Sequence, residues 1–177
     1  MATTIQNFFS RAAEKQFARD FLFRVKQIDI EGVSFDGDSD LVYARSAQLP
    51  GRNIDNKQVN YYGQTFNVPG KSTYPGSEGY SIEFYHDEKN ELRTKFETAS
   101  RAVFNNETST GQYGMPGDSS LITLDVIDKD LDTIQTIQLV GASIRDINAI
   151  DYQIADGTGE ILKTTVTFAY HFYRDFS

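Results

Sequence analysis

The sequence predicts a mainly β fold: two packed antiparallel sheets forming a β-sandwich or barrel, with one flanking α-helix at about 87–104, a short N-terminal helix and a projecting hairpin arm at about 50–76. Three observations lead there. The C-terminal third alternates apolar and polar residues over long runs, the period of strands with one buried face. Only one stretch shows a continuous helical stripe, within residues 87–104. The chain also carries 10 Tyr and 13 Phe without a single Trp, and many aromatics with few helix-period stretches favour sheet. At 177 residues, one domain spanning 1–177 is expected, large enough to bury about 70% of its unfolded surface without cross-links.

In chain order, residues 5–18 read as a short helix, with Phe8, Phe9, Ala12, Ala13 and Phe17 on one side. Phe21, Phe23 and Val25 then alternate, but Ile28 and Ile30 carry the opposite parity. That phase change predicts a β-bulge near Lys26 or Gln27. Asp36 to Asp40 reads as a polar turn, followed by a strand from Leu41 to Gln48. The helix rests on Leu92, Phe96, Ala99 and Val103, spaced as one stripe. Asp87 is placed to cap its first turn, and Glu91–Lys95 and Glu97–Arg101 are spaced as favourable i,i+4 pairs. Asn105 to Ser120, rich in Asn, Thr, Ser and Gly, reads as a long loop. Ile122, Leu124 and Val126 predict a strand ending in a turn at Asp128–Asp132. Ile161 to Arg174 reads as one alternating strand of about 45 Å at ~3.4 Å per residue, long enough that one end is expected to pair with another subunit.

All four prolines precede glycine: Pro50-Gly51, Pro69-Gly70, Pro75-Gly76 and Pro116-Gly117. Proline presets φ at the second position of a type II turn and glycine supplies the positive φ at the third, so each pair predicts a turn. Three of them bracket Val59–Val68, an otherwise polar segment holding Tyr61, Tyr62 and Phe66. Such an arm has no room to bury its aromatics on its own domain. Leu49, Pro50, Tyr61, Tyr62, Phe66 and Pro69 are therefore the expected inter-subunit contacts.

Composition and motifs weigh against chemistry. The net charge of −8 disfavours tight nucleic-acid binding, which needs clustered cations. With no Cys, disulfides and thiolate metal sites are excluded. No apolar run reaches 18 residues, so no membrane-spanning helix is expected, and Met1–Ser10 lacks the pattern of a secretory signal; a soluble protein made in the cytosol is the expectation. Asp36-Gly-Asp38-Ser-Asp40 copies the opening of a calcium loop, but Leu41 and Ala47 stand where that loop needs Gly and Glu. His86-Asp87-Glu88 are adjacent and do not converge on an ion unaided. No G-x-S-x-G serves a triad through His86 or His171. Asp156-Gly-Thr-Gly-Glu160 precedes a strand, which disqualifies it as a phosphate-binding helix start. Neither catalytic residue, cofactor nor metal is expected.

The chain resembles the tail tube proteins of T4-like contractile-tailed bacteriophages, within the wider tail tube and type VI secretion tube superfamily. The likeness runs in order through Phe17-Ala-Arg-Asp-Phe-Leu-Phe-Arg-Val25, Ala44-Arg-Ser-Ala-Gln-Leu-Pro-Gly51, Gly63-Gln-Thr-Phe-Asn-Val-Pro-Gly70 and the segment Ser81 to Phe96. It closes with Ile147-Asn-Ala-Ile-Asp-Tyr152, Gly159-Glu-Ile161 and Val166-Thr-Phe-Ala-Tyr170. Where the family often has Trp near the C-terminus, this chain has Phe172 and Tyr173. The resemblance implies a non-enzymatic structural protein forming stacked hexameric rings. Its implied partners are copies of itself, a tail sheath protein, a baseplate or tube initiator, a tape measure protein in the lumen, and DNA passing without sticking; no membrane is involved. Its implied place is the virion tail, assembled in the bacterial host cytoplasm. An acidic channel wall would repel a passing polyanion, and Asp128, Asp130 and Asp132 are candidate lumen residues. Alternatives are a type VI secretion-like tube protein, a tube initiator or terminator paralogue, and, from another class, a β-sandwich carbohydrate-binding module.

Overall fold

In the computed structural model the described residues are 5, 19–37, 39–153 and 157–176; the helix expected over 5–18 lies outside them, Ile5 excepted. The elements follow as β1 (Phe23–Ile30), β2 (Val33–Asp36), a 3-10 turn η1 (Leu41–Tyr43), β3 (Ala44–Ser46), β4 (Asn53–Tyr61), β5 (Gln64–Thr73) and β6 (Tyr80–Tyr85). After these come α1 (Glu91–Val103), β7 (Phe104–Asn105), β8 (Thr110–Gly111), β9 (Leu121–Ile127), β10 (Thr133–Val140), β11 (Ser143–Ile147), β12 (Lys163–Ala169) and β13 (Phe172–Phe176).

Two antiparallel sheets carry the body. One has the order β13-β10-β9-β1-β2 and the other β11-β12-β6-β3, while β4-β5 and β7-β8 form separate two-stranded sheets. Alternation decides which side chains meet between the large sheets. Ile28, Ile122, Leu124 and Leu139 from the first join Ile82, Phe84, Val166 and Phe168 from the second in one buried cluster. The sandwich half of the expectation is met. The barrel half is not, because β13 and β2 end their sheet unpaired with each other.

The bulge falls where the parity change places it. Val25 pairs with Leu124 and Gln27 with Thr123, leaving Lys26 as the extra residue. Without it Val25 and Ile28 would point to opposite faces; with it both are buried.

Helix α1 lays Leu92, Phe96 and Ala99 into the core, with Val103 partly buried at its end. Asp87 does serve the first turn: its carboxylate accepts the Glu91 N–H at 2.7 Å, from three residues before the left-handed N-cap Asn90. Glu97 accepts from Arg93 at 3.0 Å and lies 3.8 Å from Arg101. Lys95 departs from expectation. It donates to both carboxylate oxygens of Asp40, at 2.6 and 2.7 Å, instead of pairing with Glu91, and so ties the helix to the turn after β2.

Two strand expectations are corrected. Leu41–Gln48 begins as η1, because Leu41 turns into the core, and only Ala44–Ser46 is strand. The single strand over Ile161–Arg174 is two strands in different sheets. β12 pairs with β6 and β11, the chain crosses over at Tyr170 and His171, and β13 pairs with β10. The Tyr170 N–H turns to Ser77 O and the His171 N–H to Val140 O, each at 2.9 Å. At this crossing the His171 ring packs on Gly141, where an added Cβ would lie 2.1 Å from His Cδ2.

Of the four Pro-Gly pairs, only Pro75-Gly76 sits at the centre of a turn: Ser77 N–H reaches Tyr74 O at 3.1 Å, with Gly76 at φ +78°. Pro50-Gly51 is irregular chain, Pro69-Gly70 lies inside β5, and the turn near Pro116 is closed by Ser120 N–H on Gly117 O.

Phe96 touches rings from both sheets: Phe35 at 4.4 Å, Phe84 at 5.3 Å and Phe168 at 6.1 Å. Phe96→Ala is expected to cost about 3–5 kcal/mol, read as a lower midpoint with unchanged slope in urea unfolding.

Candidate assembly surfaces

β4 and β5 form a hairpin closed by Tyr62 and Gly63, with φ of +47° and +77°. Two positive φ values in a two-residue loop match a type I′ turn, whose hand suits the twist of the strands and whose first position favours Asn, Asp or Gly. Tyrosine there is held in a conformation that costs a bulky L residue roughly 1–2 kcal/mol. Its ring stands 91% exposed, edge-on to Tyr61 at 4.6 Å.

Directly paired residues share a face of a two-stranded sheet. Val59↔Phe66, Tyr61↔Gln64 and Lys57↔Val68 give the hairpin an apolar face; Gln58↔Asn67 and Asn60↔Thr65 give it an amide and hydroxyl face. Val59, Tyr61, Phe66 and Val68 are all exposed. Between Lys57 and Lys71 no residue is charged, although 24% of the chain is. Charge collects at the hairpin's base instead, where Arg52, Lys57 and Lys71 outnumber Asp55.

On the segment leading to the hairpin, buried Tyr80 donates its hydroxyl to Gln48 O at 2.5 Å; burial, with the neighbouring Tyr170, raises the Tyr80 pKa well above the phenol range. Arg52 Nε donates to Ser72 Oγ at 3.0 Å. Pro69 is accommodated at a register shift, since Asn56 faces Pro69 and Ile54 faces Ser72. Proline is tolerated where an edge strand bulges. Leu49 and Pro50 lie in the irregular segment leading to the hairpin, Leu49 exposed and Pro50 half-buried.

A cleft of about 1080 Å³ opens between the free edges β2 and β3, bounded by Phe21, Phe23, Val42, Ala44 and Ala47 among others. Phe21 and Val42 are 70% and 65% exposed. Among the described residues three cations line it and are partnered within the chain: Arg24 and Lys26 share Asp125, and Arg45 pairs with Glu83.

Asp125 is the fully buried carboxylate of the described residues, a position that sequence reading missed because a lone Asp in an apolar strand carries no motif. It alternates with Ile122 and Leu124, so it lies on the face of β9 turned from the shared core. Arg24 Nε and Nη2 donate to it at 3.1 and 2.9 Å, Thr136 Oγ1 at 2.8 Å and Thr133 Oγ1 at 3.3 Å; Lys26 Nζ lies 3.9 Å away. Burial pushes its pKa up, but the bonds from Thr136 and Arg24 and the charge of Lys26 outweigh burial and hold it below the usual carboxylate range.

Asp128, Asp130 and Asp132 come together in the β9–β10 turn. Asp128 Oδ1 accepts the N–H groups of Asp130 and Asp132 at 2.8 and 3.0 Å, leaving the side chains of Asp130 and Asp132 exposed. The histidines are engaged locally: His86 Nε2 lies 2.9 Å from the Tyr152 hydroxyl, and His171 packs on Gly141. Asp40 holds Lys95, and Asp38 and Asp156 lie outside the described residues. Among the described residues no three His, Asp or Glu side chains gather as a metal site, and no helix is long and apolar enough to cross a membrane.

The architecture is thus an open two-sheet sandwich with a helix inserted at one side and an outlying hairpin. No protein-family profile matches the chain, and no curated protein sequence matches it. Solved structures do. A chain of the anti-feeding prophage (AFP) baseplate superposes with a TM-score of 0.63 at 14% identity, over 92% of this chain and 97% of that one. A chain of the AFP tube-terminating cap gives 0.61 at 11% identity, over 92% and 93%. A chain of the sheath–tube complex of PVC, an extracellular contractile injection system, gives 0.57 at 13% identity, over 95% and 97%. The fold is one found in contractile injection systems.

Two expected outcomes follow from the sites. Asp125→Asn should lower stability by about 1–3 kcal/mol at neutral pH. Because the folded pKa is depressed, the carboxylate's contribution is present above the unfolded value near 3.9 and is lost as pH falls through the folded one. The gap between variant and parent in urea unfolding should therefore shrink below about pH 4. Tyr62→Asn, which suits a positive φ, should leave thermal stability of the isolated chain unchanged or raised, as calorimetry would show.

Proposed function

We propose that this protein is a non-enzymatic tail tube subunit of a contractile phage tail, stacking in hexameric rings to form the conduit through which DNA is ejected. The observation that carries the reading is the hairpin: it is aromatic on one face, uncharged through its outer part, and strained at an exposed tyrosine. Interface centres are depleted of charge and enriched in Tyr and Phe. A two-stranded hairpin is marginal in water by itself, and each buried aromatic or aliphatic side chain contributes roughly 1.5–3 kcal/mol. The fold shared with chains of contractile injection systems supports the same reading.

On this account Leu49, Pro50, Tyr61, Tyr62, Phe66 and Pro69 belong to contacts between subunits. The five-stranded sheet, with β13 and β2 as free edges, supplies the ring's inner wall, and Asp128, Asp130 and Asp132 bring negative charge to the conduit. The tail sheath, a baseplate or initiator, and a tape measure protein would be the remaining partners, and the site of action a virion tail assembled in the bacterial cytoplasm. The likeness to a chain of the AFP tube-terminating cap supports a second reading, a terminator paralogue that uses the same fold at one end of the tube; a type VI secretion-like tube protein is a third.

Negative-stain microscopy of the purified protein should show rings or tubes, alone or on adding tail initiation components. Tyr62→Ser with Phe66→Ser should give a chain that melts cooperatively and assembles no further than a monomer. A stable monomer from the parent chain under all these conditions would overturn the tube reading. A double variant that polymerises as the parent does would remove the arm from it.

A further inference from the structure

Resting on the tube reading, we infer that the apolar face of the arm seats in the cleft between β2 and β3 of a second copy of this chain. The chemistry of the two surfaces fits. The arm presents Val59, Tyr61, Phe66 and Val68 in a patch whose one charge is Lys57, opposite Val68 at its inner end, and the cleft presents Phe21 and Val42 exposed to water.

Charge selects the partner. The arm's base carries three cations against one acid, whereas the whole chain is −8, so the remainder of the molecule is more acidic than the whole. An arm of this sign is attracted to the body of another copy and steered to it before contact. At the cleft itself Arg24 and Lys26 share Asp125 and Arg45 is held by Glu83, so its cations repel an incoming cationic base less than unpaired ones would. Among the described residues of one chain the hairpin pairs only with itself as a sheet, and the cleft lies beside strands that end theirs.

The absence of cysteine gives a clean background for the test. Two single variants, Tyr62→Cys on the arm and Val42→Cys in the cleft, are purified separately, one carrying a size tag, then mixed under assembly conditions and mildly oxidised. Both positions are exposed, so neither change empties the core. The expected result is a mixed disulfide dimer as the major cross-linked product, with at least tenfold less when Tyr113→Cys, exposed on another loop, replaces the cleft variant. Microscopy of the same samples separates the two levels of the account. Rings or tubes without the 62–42 product overturn the docking and leave the tube reading standing. The 62–42 product without rings or tubes supports the docking and counts against the tube reading. A product joining Val42→Cys to Phe176→Cys on the β13 edge, in place of the arm, overturns the docking by assigning the cleft to a neighbour's sheet.

Discussion

Phe96 is the point on which the body of this protein depends. One ring from the helix packs against Phe35 of the first sheet and against Phe84 and Phe168 of the second, so a single side chain commits both sheets to the same core. Around it the alternation of each strand delivers its apolar residues to one cluster. That core is complete without the hairpin. The consequence is a separation: the sandwich holds itself together, and the aromatics of β4 and β5 are left exposed.

The electrostatics follow the same separation. Where the body faces solvent across β9, Arg24 and Lys26 converge on buried Asp125, which cancels half of their combined charge in place. A sheet face treated in this way offers a polyanion less to grip than two unpaired cations would. The arm does the reverse, gathering cations at its base and excluding charge from its outer part. An acidic body and a cationic arm on identical subunits make a head-to-tail contact favourable between copies. Heterologous contacts of that kind close into rings or extend into filaments according to their rotation.

Much of this was legible in the chain itself. The parity change between Val25 and Ile28 located the bulge, and the stripe from Leu92 to Ala99 located the helix, because burial on one face leaves a periodic trace. The arm was legible too, as aromatics in an otherwise polar segment bracketed by Pro-Gly pairs. Other features left no such trace. Val166, Phe168 and Tyr170 meet the core, but once the chain has changed sheets it is Tyr173 and not Phe172 that packs against it; an apolar Phe172 prolongs the alternation and hides the crossing. Pro69-Gly70 signalled a turn but sits in a strand, because a two-stranded sheet has free edges on which a proline needs no partner for its missing N–H. Lys95 chose Asp40 over Glu91, a contact between segments that helix spacing does not register. Asp125 was invisible for the same reason, since its partners Arg24 and Thr136 come from neighbouring strands.

The claim that the arm is an assembly surface is tested most directly by hydrogen exchange on the arm's own amides, in assembled and unassembled protein. In the isolated chain the amides of 53–73 should exchange far faster than those of β9, since an unsupported hairpin opens readily. In rings or tubes the account predicts that their protection rises by orders of magnitude toward that of the core strands. Arm amides that exchange equally fast in both states, while rings are plainly present, would contradict it.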